Sequence, residues 1–269
     1  MDTAEIYQHC VDSLKKFVTD LGFTDVIIGL SGGMDSSLVA VMAVDAFGAE
    51  HVHGVLLPGP YSSTHSFDDA QELASRLGMT TDVVSICEPF EAFESVLRRA
   101  CGGELAGLAA ENTQARCRMI CLMALSNTYG WLMLNTGNKS EAMMGYSTLY
   151  GDTAGAFAPL GGLYKTDVYK VARWRNEQFD MLPEAPIPDN VFEKAPSAEL
   201  SPGQEDETSL GVDYPTLDAI LKLANEEAQS VEEIVAAGYD EALVERILRT
   251  AQAMAFKRAL EPPYPELQL

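Results

Sequence analysis

Apolar residues recur at helical spacing near the start of the chain, where Ile6, Cys10, Leu14, Phe17 and Leu21 mark an amphipathic helix from Thr3 to Leu21. At Val26 the period changes. Val26, Ile27 and Ile28 form a short β-branched run of the kind buried in parallel sheets, and helical spacing returns from Ser36 to Gly48. The alternation continues with a strand at His51–Leu57, a helix at Phe67–Leu77, a strand at Thr81–Ile86 and a helix at Pro89–Cys101 that opens on proline. A helix at Asn112–Tyr129 and a fourth strand at Trp131–Asn135 complete the series. Strands and helices alternating at this pitch predict an α/β fold, a Rossmann-like, doubly wound parallel sheet with ligands above the carboxyl ends of its strands.

Past Lys165 the pattern is different. Thr166–Gln178 reads as one helix, while residues 182–210 are rich in Pro, Glu, Asp and Ser and have no period, which predicts a lid or a disordered loop. Leu217–Ala228, Val231–Ala237 and Glu241–Ala255 predict a helical C-terminal part over residues 214–257, and the prolines of EPPYPELQL stop it. The simplest organisation is a single domain over residues 1–269 with helical C-terminal additions.

Composition narrows the function classes. Forty acidic against eighteen basic side chains give a net charge of −22, which opposes docking on nucleic acid or anionic lipid. If the ligands are anions, the scarce Lys and Arg are expected around the site. Cys10, Cys87, Cys101, Cys117 and Cys121 are odd in number and form no CxxC, as expected of reduced thiols; Cys117 and Cys121 share one helix face as small core residues. The start of the chain has no basic region followed by an apolar stretch, so a cytoplasmic location is expected.

The chemistry concentrates in VIIGLSGGMDSS, residues 26–37, where a strand meets a glycine turn and a helix. Gly29, Leu30, Ser31, Gly32, Gly33, Met34, Asp35 and Ser36 span the turn; its glycines let backbone N–H groups approach an anion, and its serines add hydroxyl donors. Asp35 would repel phosphate unless a divalent cation bridges the two, which points to Mg²⁺. GxxxxGK(S/T) is absent, so this is not the loop that transfers a γ-phosphoryl group.

SGGMDS resembles the SGGxDS pyrophosphate loop of ATP pyrophosphatases, which cleave ATP between the α and β phosphates. ENTQARCRM (111–119), NTGNKSEAMMGYSTLYGD (135–152), LYKTDVYKVARWRN around Lys165 and APSAELSPGQEDE (195–207) are similar, in the same order, to segments of NAD synthetases. The resemblance spans almost the whole chain and implies the adenine nucleotide alpha hydrolase type of fold. It implies Asp35 and Glu141 as Mg²⁺ ligands; Thr136, Lys165 and Ser197 as ATP contacts beside the loop; Arg116 and Lys257 as contacts to nicotinate adenine dinucleotide (deamido-NAD); and Asp152 as a residue orienting substrate or ammonia. On residue type alone Glu141 reads as a first-turn glutamate favoured by the helix dipole, Arg116 and Arg118 as a solvated basic helix surface pointing two ways, Lys257 as an exposed lysine and Asp152 as a turn former.

Leu149, Ala156 and Phe256 depart from the lysine, aspartate and histidine of many short, ammonia-using members, and the surrounding segments look more like the synthetase domain of glutamine-dependent enzymes. The implied reaction adenylates the nicotinate carboxylate with ATP, releases pyrophosphate, and lets ammonia displace AMP to give NAD. The chain begins directly with the synthetase part and carries Asp2 where an amidase would need a terminal cysteine, so free ammonia is the expected donor, with room for a separate glutaminase. A homodimer is implied by resemblance alone. The alternatives are another SGGxDS adenylating enzyme, either an amide ligase on a different acid or a tRNA-modifying ATP pyrophosphatase, and a non-catalytic nucleotide-binding subunit.

Overall fold

The four strands, β1 (Val26–Gly29), β2 (Val52–Leu56), β3 (Thr80–Val83) and β4 (Leu132–Met133), pair in parallel in the order β3-β2-β1-β4. The coordinates are a computed structural model that describes residues 1–179 and 184–267. The chain builds β1, β2 and β3 outward in one direction, then returns to lay β4 on the other side of β1, with Val26 facing Val52 on one flank and Leu132 on the other. The order of strands therefore reverses between β1 and β4, and the carboxyl ends of those two strands flank the crevice where such sheets take ligands.

Helices cover both faces because β1 is apolar on both. Val26 and Ile28 pack with α1 (Thr3–Asp20), α2 (Met34–Phe47), α3 (Thr64–Leu77) and α7 (Lys165–Glu177), whereas Ile27 packs with α4 (Cys87–Cys101) and α5 (Leu108–Tyr129) through Phe90, Cys117 and Leu122. Leu14 of α1 is fully buried, and truncating it to alanine costs about 2–5 kcal/mol in a core of this kind. Cys117 is buried and Cys121 packs partly against the same layer, as their shared helix face predicts.

A third apolar cluster joins α6 (Lys139–Met144) to α10 (Tyr214–Asn225), α11 (Val231–Ala236) and α12 (Glu241–Ala253), with α13 (Ala255–Arg258) following. It centres on Tyr164, Leu217, Ile220, Ile234 and Ile247. Within the aperiodic stretch expected at residues 182–210, two short helices form, α8 (Asp189–Glu193) and α9 (Asp206–Leu210); Leu182 and Pro183 lie outside the described residues. Among the described residues no helix is long and apolar enough to cross a membrane.

Candidate functional site

The turn after β1 is held by its own hydroxyls. Ser31 Oγ accepts the Gly33 N–H at 3.1 Å, Ser36 Oγ accepts the Ser31 N–H at 3.2 Å, and Ser37 Oγ donates to the Gly33 carbonyl at 2.8 Å. Gly33 is the N-cap of α2 and offers no side-chain oxygen, so the first N–H groups of the helix remain directed at whatever anion enters. Gly32 has φ +76°, and a Cβ there would stand 2.0 Å from the Ser66 carbonyl oxygen of α3. Only glycine fits this position.

Asp35, in the first turn of α2, meets the loop after β4. Asn138 Nδ2 donates to Asp35 Oδ1 at 3.1 Å, and Asn138 also caps α6, accepting the Glu141 N–H at 3.0 Å while Glu141 reaches back to the Asn138 N–H. Asn138 thus places both carboxylates. Between them lies the Lys165 ammonium, bonded to Asp35 Oδ2 and 3.3 Å from Glu141 Oε1. Lys165 is buried and occupies the first position of α7, where the helix dipole disfavours a cation; the two carboxylates compensate. Its backbone is fixed from elsewhere: the Lys165 N–H donates to Ser140 Oγ at 2.8 Å, Ser140 Oγ donates to Asp218 Oδ1 at 2.5 Å, and Asp218 Oδ2 accepts the Thr166 N–H at 2.8 Å.

Burial pushes the Glu141 carboxyl up to about 8, against the pull of Lys165 and with the help of Asp35. Burial alone would lower the Lys165 ammonium, but Asp35 and Glu141 outweigh it and raise it, so it stays charged. Two carboxylates that converge on a single cation are the hard-oxygen donor set that Mg²⁺ requires, its remaining positions being filled by water or phosphate oxygens. Among the described residues no group of three His, Cys, Asp or Glu side chains is placed to hold a metal ion.

These groups open onto a cavity of about 330 Å³ at the β1/β4 crevice. Gly29, Leu30, Ser31, Gly33, Met34, Asp35, Ser36, Thr136, Glu141, Asp152, Lys165 and Ser197 all line it, with Gly32 lodged against α3 beneath the turn. Asn135 supports the far wall, its Nδ2 donating to the Asp152 and Ala154 carbonyls at 2.7 and 3.0 Å, while the Asp152 carboxylate accepts the Thr148 N–H. Arg116 and Lys257 lie off the cavity wall. Arg116 Nε donates to the Leu149 carbonyl at 3.1 Å, and Lys257 Nζ to the Gly145 and Ser147 carbonyls at 2.8 and 2.6 Å. Arg118, two residues on, lines the cavity instead, with Nε donating to the Leu57 carbonyl at 3.0 Å.

The expectation that basic residues gather at the site is not met. Six acidic side chains (Asp35, Glu141, Asp152, Glu199, Asp206, Glu261) line the cavity against three basic ones, Arg118, Lys165 and Lys194. A phosphate-bearing ligand therefore needs cations brought with it.

The segment at residues 195–207 is anchored over the cavity. Glu199, at φ +49°, accepts from the Ser63 N–H at 3.0 Å and from the Ser63 and Ser66 hydroxyls at 2.8 Å each, all at the N-terminus of α3. Gln114 Nε2 of α5 donates to the Leu200 carbonyl at 2.9 Å, and Ser197 Oγ donates to the Gln204 carbonyl at 2.5 Å. Asn138, Glu199 and Asp206 receive no role from the sequence, although all three lie in the segments 135–152 and 195–207 and the N-x-x-E spacing of Asn138 to Glu141 marks a capping box.

A parallel sheet with a serine-glycine turn at its switch point, an acidic pair and a buried lysine defines an α/β protein with a cavity at the carboxyl ends of its strands, the place where such sheets take ligands. The sequence model of the NAD synthase family matches residues 6–261, and the chain belongs to that family. The glutamine-dependent NAD(+) synthetase of Thermotoga maritima is 46% identical over 254 residues, covering 94% of this chain and 43% of the relative. Among solved structures, the NMN synthetase of Francisella tularensis is 30% identical with a TM-score of 0.79, and the NH3-dependent NAD synthetase of Campylobacter jejuni is 29% identical with a TM-score of 0.75; each comparison covers 96% of both chains. The chain spans about half the length of the curated relatives it matches.

Proposed function

We propose that this chain converts deamido-NAD to NAD in an ATP- and ammonia-dependent amidation that passes through an acyl-adenylate and releases AMP and pyrophosphate. The observation that carries the reading is the convergence of Asp35, Glu141 and Lys165 beside the serine-glycine turn at the β1/β4 crevice.

A carboxylate is a poor acyl electrophile, so its oxygen first attacks the α-phosphorus of ATP and pyrophosphate leaves. Ser31, Gly32, Gly33 and Ser36 hold the departing diphosphate through N–H and hydroxyl donors aimed where charge accumulates. Lys165 lies close enough to the turn to neutralise the α-phosphate as it becomes five-coordinate. Thr136 and Ser197 contact ATP from the β4 loop and from the anchored segment. Asp35 and Glu141 are the residues that would hold Mg²⁺, which supplies charge neutralisation to the phosphates when bound. Ammonia, oriented by Asp152, then adds to the acyl carbon, AMP departs with the electron pair of the cleaved acyl–oxygen bond, and the extra proton on nitrogen passes to the Asp152 carboxylate. The segment held by Glu199 keeps water away from the adenylate. Arg116 binds deamido-NAD, Lys257 binds it across a homodimer interface, and the nitrogen arrives as ammonia, with room for a separate glutaminase to deliver it.

Supplying ATP, Mg²⁺, ammonium and deamido-NAD tests this: NAD, AMP and pyrophosphate are expected in equal amounts. ADP with phosphate would overturn it. The likeness to an NMN synthetase favours a second reading, in which the acid is the mononucleotide; the same assay with nicotinate mononucleotide separates the two by kcat/KM.

A further inference from the structure

Asp206 is the most deeply buried acidic group on the cavity wall that the proposed reaction leaves unused. It opens α9, is 4% exposed, and shares the wall with Asp35, Glu141 and Lys165. Its Oδ2 accepts from the Tyr214 hydroxyl at 3.3 Å and the Tyr146 hydroxyl also stands by the carboxyl, but its buried Oδ1 has no partner in hydrogen-bond geometry. An unsatisfied buried acceptor costs about 1–3 kcal/mol, so its retention calls for a reason. The Lys165 ammonium lies 5.4 Å from the centre of the same Tyr214 ring, which therefore stands beside both groups. Lys165 itself spans Asp35 and Glu141, the two carboxylates that also suit a divalent cation. An ammonium and a divalent cation cannot share both carboxylates without strong repulsion in so enclosed a site.

We propose that Asp206 is a positioning residue that receives the Lys165 ammonium when metal and nucleotide occupy Asp35 and Glu141. The inference rests on the reading given under Proposed function. Its physical content is a handover: Oδ1 supplies the acceptor that Lys165 needs once it leaves the acidic pair, and the ammonium remains buried and charged within reach of the α-phosphate. The acceptor arrives with the anchored segment, because the Asp206 N–H donates to the Pro196 carbonyl at 3.0 Å, next to Ser197. Placement of that segment and release of Lys165 are then one event.

The test is Mn²⁺ binding, followed by electron paramagnetic resonance in the presence of α,β-methylene-ATP, which cannot be cleaved at the reacting bond. In the full chain Asp206→Asn should weaken Mn²⁺ binding about tenfold, because Lys165 then stays on Asp35 and Glu141, and Asp206→Glu should restore most of it. In a Lys165→Ala background there is no ammonium to rehouse, and Asp206→Asn should change Mn²⁺ affinity less than about twofold. Equal weakening in both backgrounds would make Asp206 act on the metal itself and overturn the handover, as would no effect when Lys165 is present. If Asp206→Asn fails to fold, Tyr214→Phe gives the same cycle with a smaller effect, again confined to the background that retains Lys165. A wild-type chain that binds no Mn²⁺ with the nucleotide would overturn the acidic-pair reading as well, which separates the two failures.

Discussion

The two ends of the sheet treat polar groups in opposite ways. At the amino end Asp25 accepts from Thr24 Oγ1 at 2.6 Å and lies 3.0 Å from His53 Nε2 and 3.4 Å from His51 Nδ1; His53 stacks on Trp131 at 3.6 Å between ring centres, and Trp131 stacks on Tyr129. Asp25 is answered by three neighbours there, and the cluster is partly open to water. At the carboxyl end Lys165 is buried between two acids, Asp206 keeps an unanswered oxygen, Gln114 Oε1 does likewise, and Gly32 holds a left-handed turn. Self-satisfied clusters stabilise strand ends. Buried groups that satisfy one another only in part imply a partner of another kind, and here its charge is fixed by six acids against three bases.

The largest break in this comparison should come from Asp35→Asn. It removes one member of the acidic pair without changing shape, and pyrophosphate release is expected to fall at least about a thousandfold with the circular dichroism spectrum unchanged. A folded, active variant would remove cation bridging from the account. Next is Gly32→Ala, where a Cβ meets backbone rather than a yielding side chain. It should cost about 2–4 kcal/mol in urea unfolding. Gly78→Ala is the control: the angle is also left-handed, φ +68°, but nothing lies within 4 Å, so the cost should stay near 1 kcal/mol.

The contrast between the two ends was only partly legible in the chain. Periodicity marked α1 to within a residue and recovered the strand order's raw material, because Val26–Ile28 and the helices bury continuous apolar faces. Trp131–Asn135 shortens to the two residues of β4; Leu134 still donates its N–H to the Ile27 carbonyl at 3.0 Å and bridges Phe157 as well, a partner that no local pattern announces. Residues 182–210 have no period because α8 and α9 are five residues each and their order comes from distant contacts such as Glu199 with α3, more than 130 positions away. The turn and Asp35 stood out by residue type, whereas Glu141 and Lys165 were marked only by the resemblance of their segments, since on residue type alone Glu141 reads as a first-turn glutamate. Arg118 did not, because nothing in the spacing says which face of α5 meets the cavity.

A smaller effect should appear in the pH dependence of stability. Burial lifts Glu141 from 4.5 to about 8, so folding favours its protonated form; that contribution is whole below pH 4.5 and is lost as pH rises through about 8. Glu141→Gln keeps the shape and cannot ionise. The melting temperature of the wild type should therefore fall relative to Glu141→Gln as the pH rises from 5 to 9. Parallel curves would mean that Glu141 is ionised at no cost, and that the carboxyl end is as well satisfied as the amino end.

Asp25→Asn should have the smallest effect of all, and it tests the other half of the comparison. Asp25 is not fully buried, its contacts to His51 and His53 are of the surface kind worth about 0–1 kcal/mol, and the stacking of His53 on Trp131 does not depend on it. Asparagine still accepts from Thr24 Oγ1 and can meet either imidazole. Unfolding should shift by less than about 1 kcal/mol, and kcat/KM for NAD formation should remain within about twofold, because the cluster sits at the end of β1 opposite the turn. A tenfold loss of activity with unchanged stability would break the comparison, since it would require the amino end of the sheet to communicate with the carboxyl end along β1, a strand whose three apolar side chains are already locked on both faces.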